Sequence, residues 1–244
     1  MTHAPLLVTE VVPRSLSAAD VATEHGREWL RARYAREGSY VRLNMITSLT
    51  GSAAGEDGTS ETLTSRIDRG ILGVIRRDAD VVVVGAQSVR AEGYVVPRTA
   101  RLAIVTGSGR LAGHRLSLEP GAESDRVLLI CPATVADEVS RSAAAYGAVV
   151  VPVAGDAHLS PRAILDALAA RGLTRVVCEG GPTLAAQFAA AGVIDEYCVS
   201  VAPVIEPAHA PFLSVTAEGR PRTEVAGMLV DEAGFSFLRL RARE

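Results

Sequence analysis

The sequence predicts an α/β fold on one mixed sheet, mostly parallel, with antiparallel C-terminal strands and helices on both faces. Three observations predict it. From Tyr40 onward, short β-rich runs alternate with segments of helical periodicity, the pattern of strands joined by crossover helices. One run, Asp80-Val81-Val82-Val83-Val84-Gly85, is apolar throughout its middle, as a central parallel strand covered on both faces must be. Beyond Ala191, three β-rich runs follow one another with no long helix between them, which suits antiparallel strands closing one edge.

In order along the chain, residues 15–37 are polar and helix-prone, with Trp29, Leu30 and Tyr34 as anchors. Residues 1–38 therefore read as an N-terminal helical extension laid on a core of residues 39–244. Strands are expected at residues 40–47, 80–85, 101–106, 126–131, 148–153 and 174–179, then at 196–203, 222–230 and 235–241. Between them, residues 65–77 carry Ile67, Ile71, Leu72 and Ile75 on one helical stripe, and residues 161–171 carry Ile164, Leu165 and Leu168. A third helix is expected around residues 183–191. Thr64 or Ser65 can cap the first helix, and Ser160-Pro161 sets a hydroxyl before a proline suited to a first helical turn. No repeat, low-complexity tract or long linker interrupts the 244 residues, so residues 1–244 are expected to form a single domain.

Composition excludes several function classes. A net charge of -3 gives no electrostatic reason to expect nucleic acid or an anionic membrane surface as the partner. Cys131, Cys178 and Cys198 lack C-x-x-C spacing and read as buried thiols of a reducing compartment. The N-terminus lacks a basic region followed by an apolar stretch, and no apolar run approaches the roughly 20 residues of a membrane span. A cytoplasmic protein is the expectation. His3, His25, His114, His158 and His209 are scattered without pairing, so no metal site is expected. Neither a zinc-deaminase signature nor a G-x-S-x-G elbow is present.

Ligands of such sheets bind beyond the carboxyl ends of the strands, so chemistry should gather in the strand-to-helix turns. Gly180-Gly181 follows a buried strand and precedes a helix starting at Pro182. Two glycines admit a ligand close to the backbone, and the helix N-terminus suits a pyrophosphate, although a plain tight turn has the same look. Gly85-Ala86-Gln87-Ser88-Val89-Arg90 offers a close approach, a hydroxyl and a guanidinium, or is a surface turn. Thr106-Gly107-Ser108-Gly109-Arg110 combines hydroxyls, flexible positions and a charge that can hold a sugar 2′-phosphate. The run Asn44-Met45-Ile46-Thr47-Ser48-Leu49-Thr50-Gly51 ends an apolar strand in polar groups. They either bind a heterocycle or satisfy the backbone where the strand ends. Glu179 ends an apolar strand beside the glycine pair, positioned to relay a proton or to cap local N–H groups.

Taken in this order, the motifs Asn44–Gly51, Leu63-Thr64-Ser65, Asp80–Tyr94 and Glu179-Gly180-Gly181-Pro182-Thr183-Leu184 make residues 40–243 resemble the reductase domain of the bifunctional riboflavin-biosynthesis deaminase/reductase. The resemblance implies a dihydrofolate-reductase-like fold, NADPH as hydride donor, and reduction of 5-amino-6-(5-phosphoribosylamino)uracil. It also implies a homodimer, with the face of Tyr197, Val199 and Val201 as a candidate interface.

The family pattern places Thr47, Gly85, Ser88, Val89, Thr106, Ser108, Gly109, Arg110, Gly180, Gly181, Pro182, Thr183 and Leu184 along the cofactor. It turns Asn44, Ser48, Ser65, Arg90, Glu92 and Tyr94 toward the substrate, and expects a cis peptide between Gly180 and Gly181. Glu179 and Thr50 are the candidate catalytic residues. Thr50 stands where the family has aspartate, and Glu92-Gly93-Tyr94 replaces an aspartate-containing loop. Two further readings stay open: reduction of another pterin- or pyrimidine-like heterocycle such as dihydrofolate, and a non-catalytic NADPH-binding relative.

Overall fold

The computed structural model describes residues 5–109, 113, 116–117, 124–143, 147–156, 158–207, 210–214 and 220–243. The chain opens with β1 (Leu7–Val12), β2 (Ala18–Asp20) and α1 (Glu24–Tyr34). The next stretch holds β3 (Tyr40–Ser48), α2 (Arg66–Arg77), β4 (Val81–Gly85), α3 (Ala86–Glu92), the short β5 (Tyr94–Val95), β6 (Arg101–Val105) and the short β7 (Leu116–Ser117). There follow β8 (Val127–Pro132), α4 (Ala136–Ala143), β9 (Val149–Val153), α5 (Pro161–Ala169), β10 (Arg175–Cys178) and α6 (Pro182–Ala190). The last elements are β11 (Glu196–Ala202), β12 (Thr223–Asp231) and β13 (Ser236–Ala242).

Eleven strands form one sheet in the order β2-β1-β12-β13-β11-β3-β10-β4-β6-β8-β9. Pairing is parallel from β11 across to β9 and antiparallel from β2 across to β11. This is the mixed sheet, mostly parallel with antiparallel C-terminal strands, that the sequence predicts, and all nine expected strands are present. Among the described residues no helix is long and apolar enough to cross a membrane.

Alternation along the strands builds two cores. Val82 and Val84 of β4 join Ile67, Ile71 and Ile75 of α2 on one face. Val81 and Val83 join Ile164 and Leu168 of α5 and Phe188 of α6 on the other. Each such side chain, fully removed from water, contributes about 1.5–3 kcal/mol. Ser65 caps α2 as expected, its hydroxyl accepting from the Asp68 N–H at 3.1 Å. At α5 the proline sits in the first turn, but the Ser160 hydroxyl makes no capping bond.

The N-terminal segment corrects the expectation of a helical extension. Among its described residues only Glu24–Tyr34 is helical; Leu7–Val12 is a strand that pairs antiparallel with β12 and carries the sheet onward. Glu10 hid this strand, because a carboxylate interrupts its apolar run. In the fold Glu10 is buried and receives the Ser15 hydroxyl at 2.6 Å and Arg33 at 3.0 Å. The expected turn after β4 is also more ordered than a turn, since Ala86–Glu92 is helical.

A second internal ion pair joins α1 to the sheet. Arg42 of β3 and Glu196 of β11 stand opposite each other, with side chains 1% and 2% exposed and 2.6 Å apart. Arg239 of β13 reaches the other Glu196 oxygen at 3.2 Å, and Arg42 donates to the Tyr34 carbonyl at the end of α1 at 3.0 Å.

Candidate active site

The carboxyl ends of β3, β4, β6 and β10 open onto a cleft of about 1000 Å³, at the top of the roughly 300–1,000 Å³ range of ligand sites. One wall is made by two turns bonded to each other. Gly85 N–H donates to the Gly180 carbonyl at 2.7 Å, and the Gly180–Gly181 peptide is cis, as expected. Gly180 has φ +83°, and a Cβ there would meet Met45 Sδ at 3.0 Å. A Cβ on Gly181 would lie 2.6 Å from the Ser88 hydroxyl, so any side chain would fill the space between the two turns. Pro182 then starts α6, and the first backbone bond of the helix runs from Ala185 N–H to the Gly181 carbonyl at 3.0 Å. The Thr183 and Leu184 N–H groups precede that bond at the positive end of the helix, and no side chain caps them.

Beyond β6 the cleft is continued by Thr106, Gly107 and Ser108. Gly109, off the cleft lining, has φ +70°, and a Cβ there would meet Val139 at 2.7 Å. Arg110 lies outside the described residues.

The opposite wall is α2, which turns Asp68, Leu72 and Arg76 to the cleft, spaced four residues apart on one helical stripe. Arg76 grips Glu179 with both arms of its fork, Nε to Oε1 at 2.7 Å and Nη2 to Oε2 at 2.6 Å. The Tyr94 hydroxyl donates to the same Oε2, and its ring lies 5.3 Å from the Arg76 guanidinium carbon. Burial works against a charged Arg76, yet the Glu179 carboxylate outweighs it and raises the guanidinium's pKa. Both Glu179 oxygens thus have partners, and the carboxylate fixes a cation and a phenol at the rim of the cleft.

Asn44, Arg90, Glu92 and Tyr94 line the cleft, along with Gly85, Ser88, Thr106, Ser108, Glu179, Gly181, Pro182, Thr183 and Leu184. The Glu92 carboxylate accepts from Ser60 N–H at 3.1 Å, tying the loop before α2 to the end of α3. The structure does not bring the other expected residues to the lining. Thr47, Ser48 and Val89 are buried behind it, and Gly180 meets it only through its bond to Gly85. Ser65 is occupied with capping α2. Thr50 is exposed, and its hydroxyl bonds Ser48 and both backbone groups of Glu206.

Two residues at the heart of the site, Asp68 and Arg76, were not singled out from sequence. An acid in a first helical turn and a base in a last turn look like ordinary partners of the helix dipole. The available signal was their i, i+8 spacing with Leu72 between. The three cysteines are buried as expected, and burial pushes Cys178 and Cys198 up to about 12. Among the described residues no cluster of metal-ligating side chains occurs.

Comparison with known proteins accords with this geometry. Over 185 residues the chain is 28% identical to the 2,5-diamino-6-ribosylamino-4(3H)-pyrimidinone 5′-phosphate reductase of Methanothermobacter thermautotrophicus, covering 68% of this chain and 78% of that protein. Over 190 residues it is 33% identical to the riboflavin biosynthesis protein RibD of Mycobacterium tuberculosis, covering 77% of this chain and 49% of that protein. The chain therefore spans about half the length of that relative. A pyrimidine reductase-like protein of Corynebacterium diphtheriae shares the fold, with a TM-score of 0.71 at 22% identity over 88% of this chain and 98% of that one. Residues 39–213, which carry both glycine turns, the α2 wall and Glu179, match the RibD C-terminal domain, and the chain belongs to that family.

Proposed function

We propose that this chain is an NADPH-dependent reductase of a phosphoribosylaminopyrimidine in riboflavin biosynthesis, working in the cytoplasm. The observation that carries the reading is the junction in one cleft of a glycine-built turn wall with a wall bearing Arg76, Glu179 and Tyr94. The turn wall fits a dinucleotide: the space at Gly181 is one a Cβ would fill, and the uncapped start of α6 suits a pyrophosphate. Gly85, Ser88 and Gly181 to Leu184 hold the cofactor, with Thr47, Val89 and Gly180 supporting them from behind. Thr106, Ser108, Gly109 and Arg110 favour the 2′-phosphate of NADPH. When bound, the reduced nicotinamide supplies a hydride for C1′ of the ribosyl group.

The substrate side is formed by Asn44, Arg90, Glu92, Tyr94 and the α2 wall, with Ser48 and Ser65 fixing the strand end and the helix start behind it. Reduction at C1′ releases the sugar ring oxygen, which must take up a proton. That proton comes from solvent and is handed on by Glu179, directly or through water, with Arg76 and Tyr94 holding the carboxylate in place. Thr50 pins the Glu206 loop at the rim. NADPH oxidation by the purified chain with phosphoribosylaminopyrimidine, set beside the same assay with dihydrofolate, tests the reading. Turnover with the first alone is expected; turnover with dihydrofolate alone, or NADPH binding without any turnover, would replace it.

The proposed assembly is a homodimer. On the second face of the antiparallel half, Val199, Val201, Leu238 and Leu240 are only partly buried, while α1 covers the first face. A second copy seated there would complete the burial. Sedimentation of the wild type as a dimer and of Leu238→Glu as a monomer is the expected result. A monomeric wild type would contradict it.

A further inference from the structure

Among the carboxylates that line the cleft, Asp68 on α2 and Glu179 at the end of β10 differ in their surroundings. Glu179 is neutralised by the Arg76 fork. Asp68 has no cation bonded to it among the described residues. Its Oδ2 accepts the Thr64 hydroxyl at 2.6 Å, and the neighbouring Arg69 is engaged with Glu61. Burial raises its pKa, against the opposing pull of Ser200, Thr64 and Arg69. A carboxylate oxygen has two lone pairs, so hydroxyl donors leave room for further donors from a ligand. Along the α2 stripe Leu72 lies about 6 Å and Arg76 about 12 Å beyond Asp68, from the helical rise. A flat heterocycle lying over Leu72 would have one edge at Asp68 and its sugar toward Arg76, Tyr94 and Glu179.

Resting on the reading that the cleft takes a phosphoribosylaminopyrimidine, we propose that Asp68 is a substrate-binding and specificity-determining residue that selects a 2-aminopyrimidin-4-one over the corresponding uracil. The chemistry is that of the two ring edges. The 2-amino-4(3H)-pyrimidinone offers N3–H and the exocyclic 2-amino N–H side by side, two parallel donors that match the two oxygens of a carboxylate. Uracil offers N3–H beside the C2 carbonyl, and that carbonyl oxygen would face a carboxylate oxygen with no proton between them. A side chain that replaces one oxygen by an N–H donor has the opposite preference. The substrate chosen by Asp68 is then the amino form, chemically the precursor of the uracil by hydrolytic loss of the 2-amino group. The enzyme acts before that deamination, and a deaminase working on the reduced ribityl compound must follow it.

The test compares kcat/KM for 2,5-diamino-6-ribosylamino-4(3H)-pyrimidinone 5′-phosphate and 5-amino-6-(5-phosphoribosylamino)uracil in the wild type, Asp68→Asn and Asp68→Ala. The wild type is expected to prefer the amino substrate by about 100-fold, within the range of one bidentate edge contact. Asp68→Asn should invert the preference, and Asp68→Ala should bring the ratio near one. Loss of activity on both substrates in equal proportion, with the ratio unchanged, would reduce Asp68 to a structural role and overturn the proposal, as would a wild type that prefers the uracil. Calorimetric binding of the two ribityl products to the same three proteins reads the edge preference without turnover. Selective binding with no NADPH oxidation would sink the catalytic reading alone, whereas equal affinities of the wild type for both products would sink the role of Asp68.

Discussion

The Arg42–Glu196 and Arg76–Glu179 pairs use the same chemical groups to opposite ends. Arg42 and Glu196 are sealed between β3, β11 and α1, and their further partners, Arg239 and the Tyr34 carbonyl, also come from within the protein. Arg76 and Glu179 bridge α2 to the end of β10, with Arg76 22% exposed on the cleft. The first pair locks the N-terminal helix to the sheet. The second presents a fixed charge and a phenol to a ligand. Burial depth, more than the identity of the pair, separates a structural anchor from a working site.

Breaking the anchor is expected to give the largest effect. Arg42→Met leaves Glu196 buried beside Arg239 alone and should cost about 3–5 kcal/mol in denaturant unfolding, the range for an orphaned buried charge. Glu179→Gln keeps the shape of the cleft wall and should lose about 1–2 kcal/mol of stability, while kcat/KM falls about 100-fold. An equal loss of stability from both substitutions would erase the distinction between the two pairs.

Smaller effects sharpen the role of α2. Ser65→Ala removes the cap that fixes the first turn and should cost about 1 kcal/mol, whereas Ser160→Ala, whose hydroxyl caps nothing, should cost a few tenths at most. Asp68 is expected to act in the other direction. Because burial raises its pKa in the folded chain, the ionised form opposes folding: its contribution is intact below the ordinary value near 3.8 and is lost as pH rises through the raised one. Asp68→Asn should therefore melt slightly above the wild type near neutral pH, and the difference should close as pH falls toward 4. A variant that melts lower at neutral pH would mean that the carboxylate supports the fold.

The sheet was legible because its strands obey simple periods: β4 reads as one apolar run, and α2 carries its isoleucines on a single stripe. The failures have physical causes. The strand at Leu7–Val12 was hidden by Glu10, a buried acid whose partners, Ser15 and Arg33, lie outside the strand. The helix at Ala86–Glu92 begins at a glycine with no capping side chain, so its start looks like a loop. In the site, glycine turns announce themselves because few other residues fit them, and most of the residues named from them do reach the cleft. Asp68 and Arg76 announce nothing, because a charged residue on a helix gains meaning only from what the helix faces. Thr50 stood in a recognisable motif, yet its hydroxyl bonds the Glu206 backbone outside the cleft lining.

The central claim is that this cleft joins a nicotinamide dinucleotide to the ribosyl carbon of an aminopyrimidine. The most direct measurement is a turnover with NADPH carrying deuterium at the transferable position of nicotinamide C4, followed by NMR of the product. One deuterium at C1′ of a ribityl chain, and none when Gly181→Val replaces the wild type, is the expected result. Deuterium on the heterocycle, or unlabelled product from the wild type, would contradict the account.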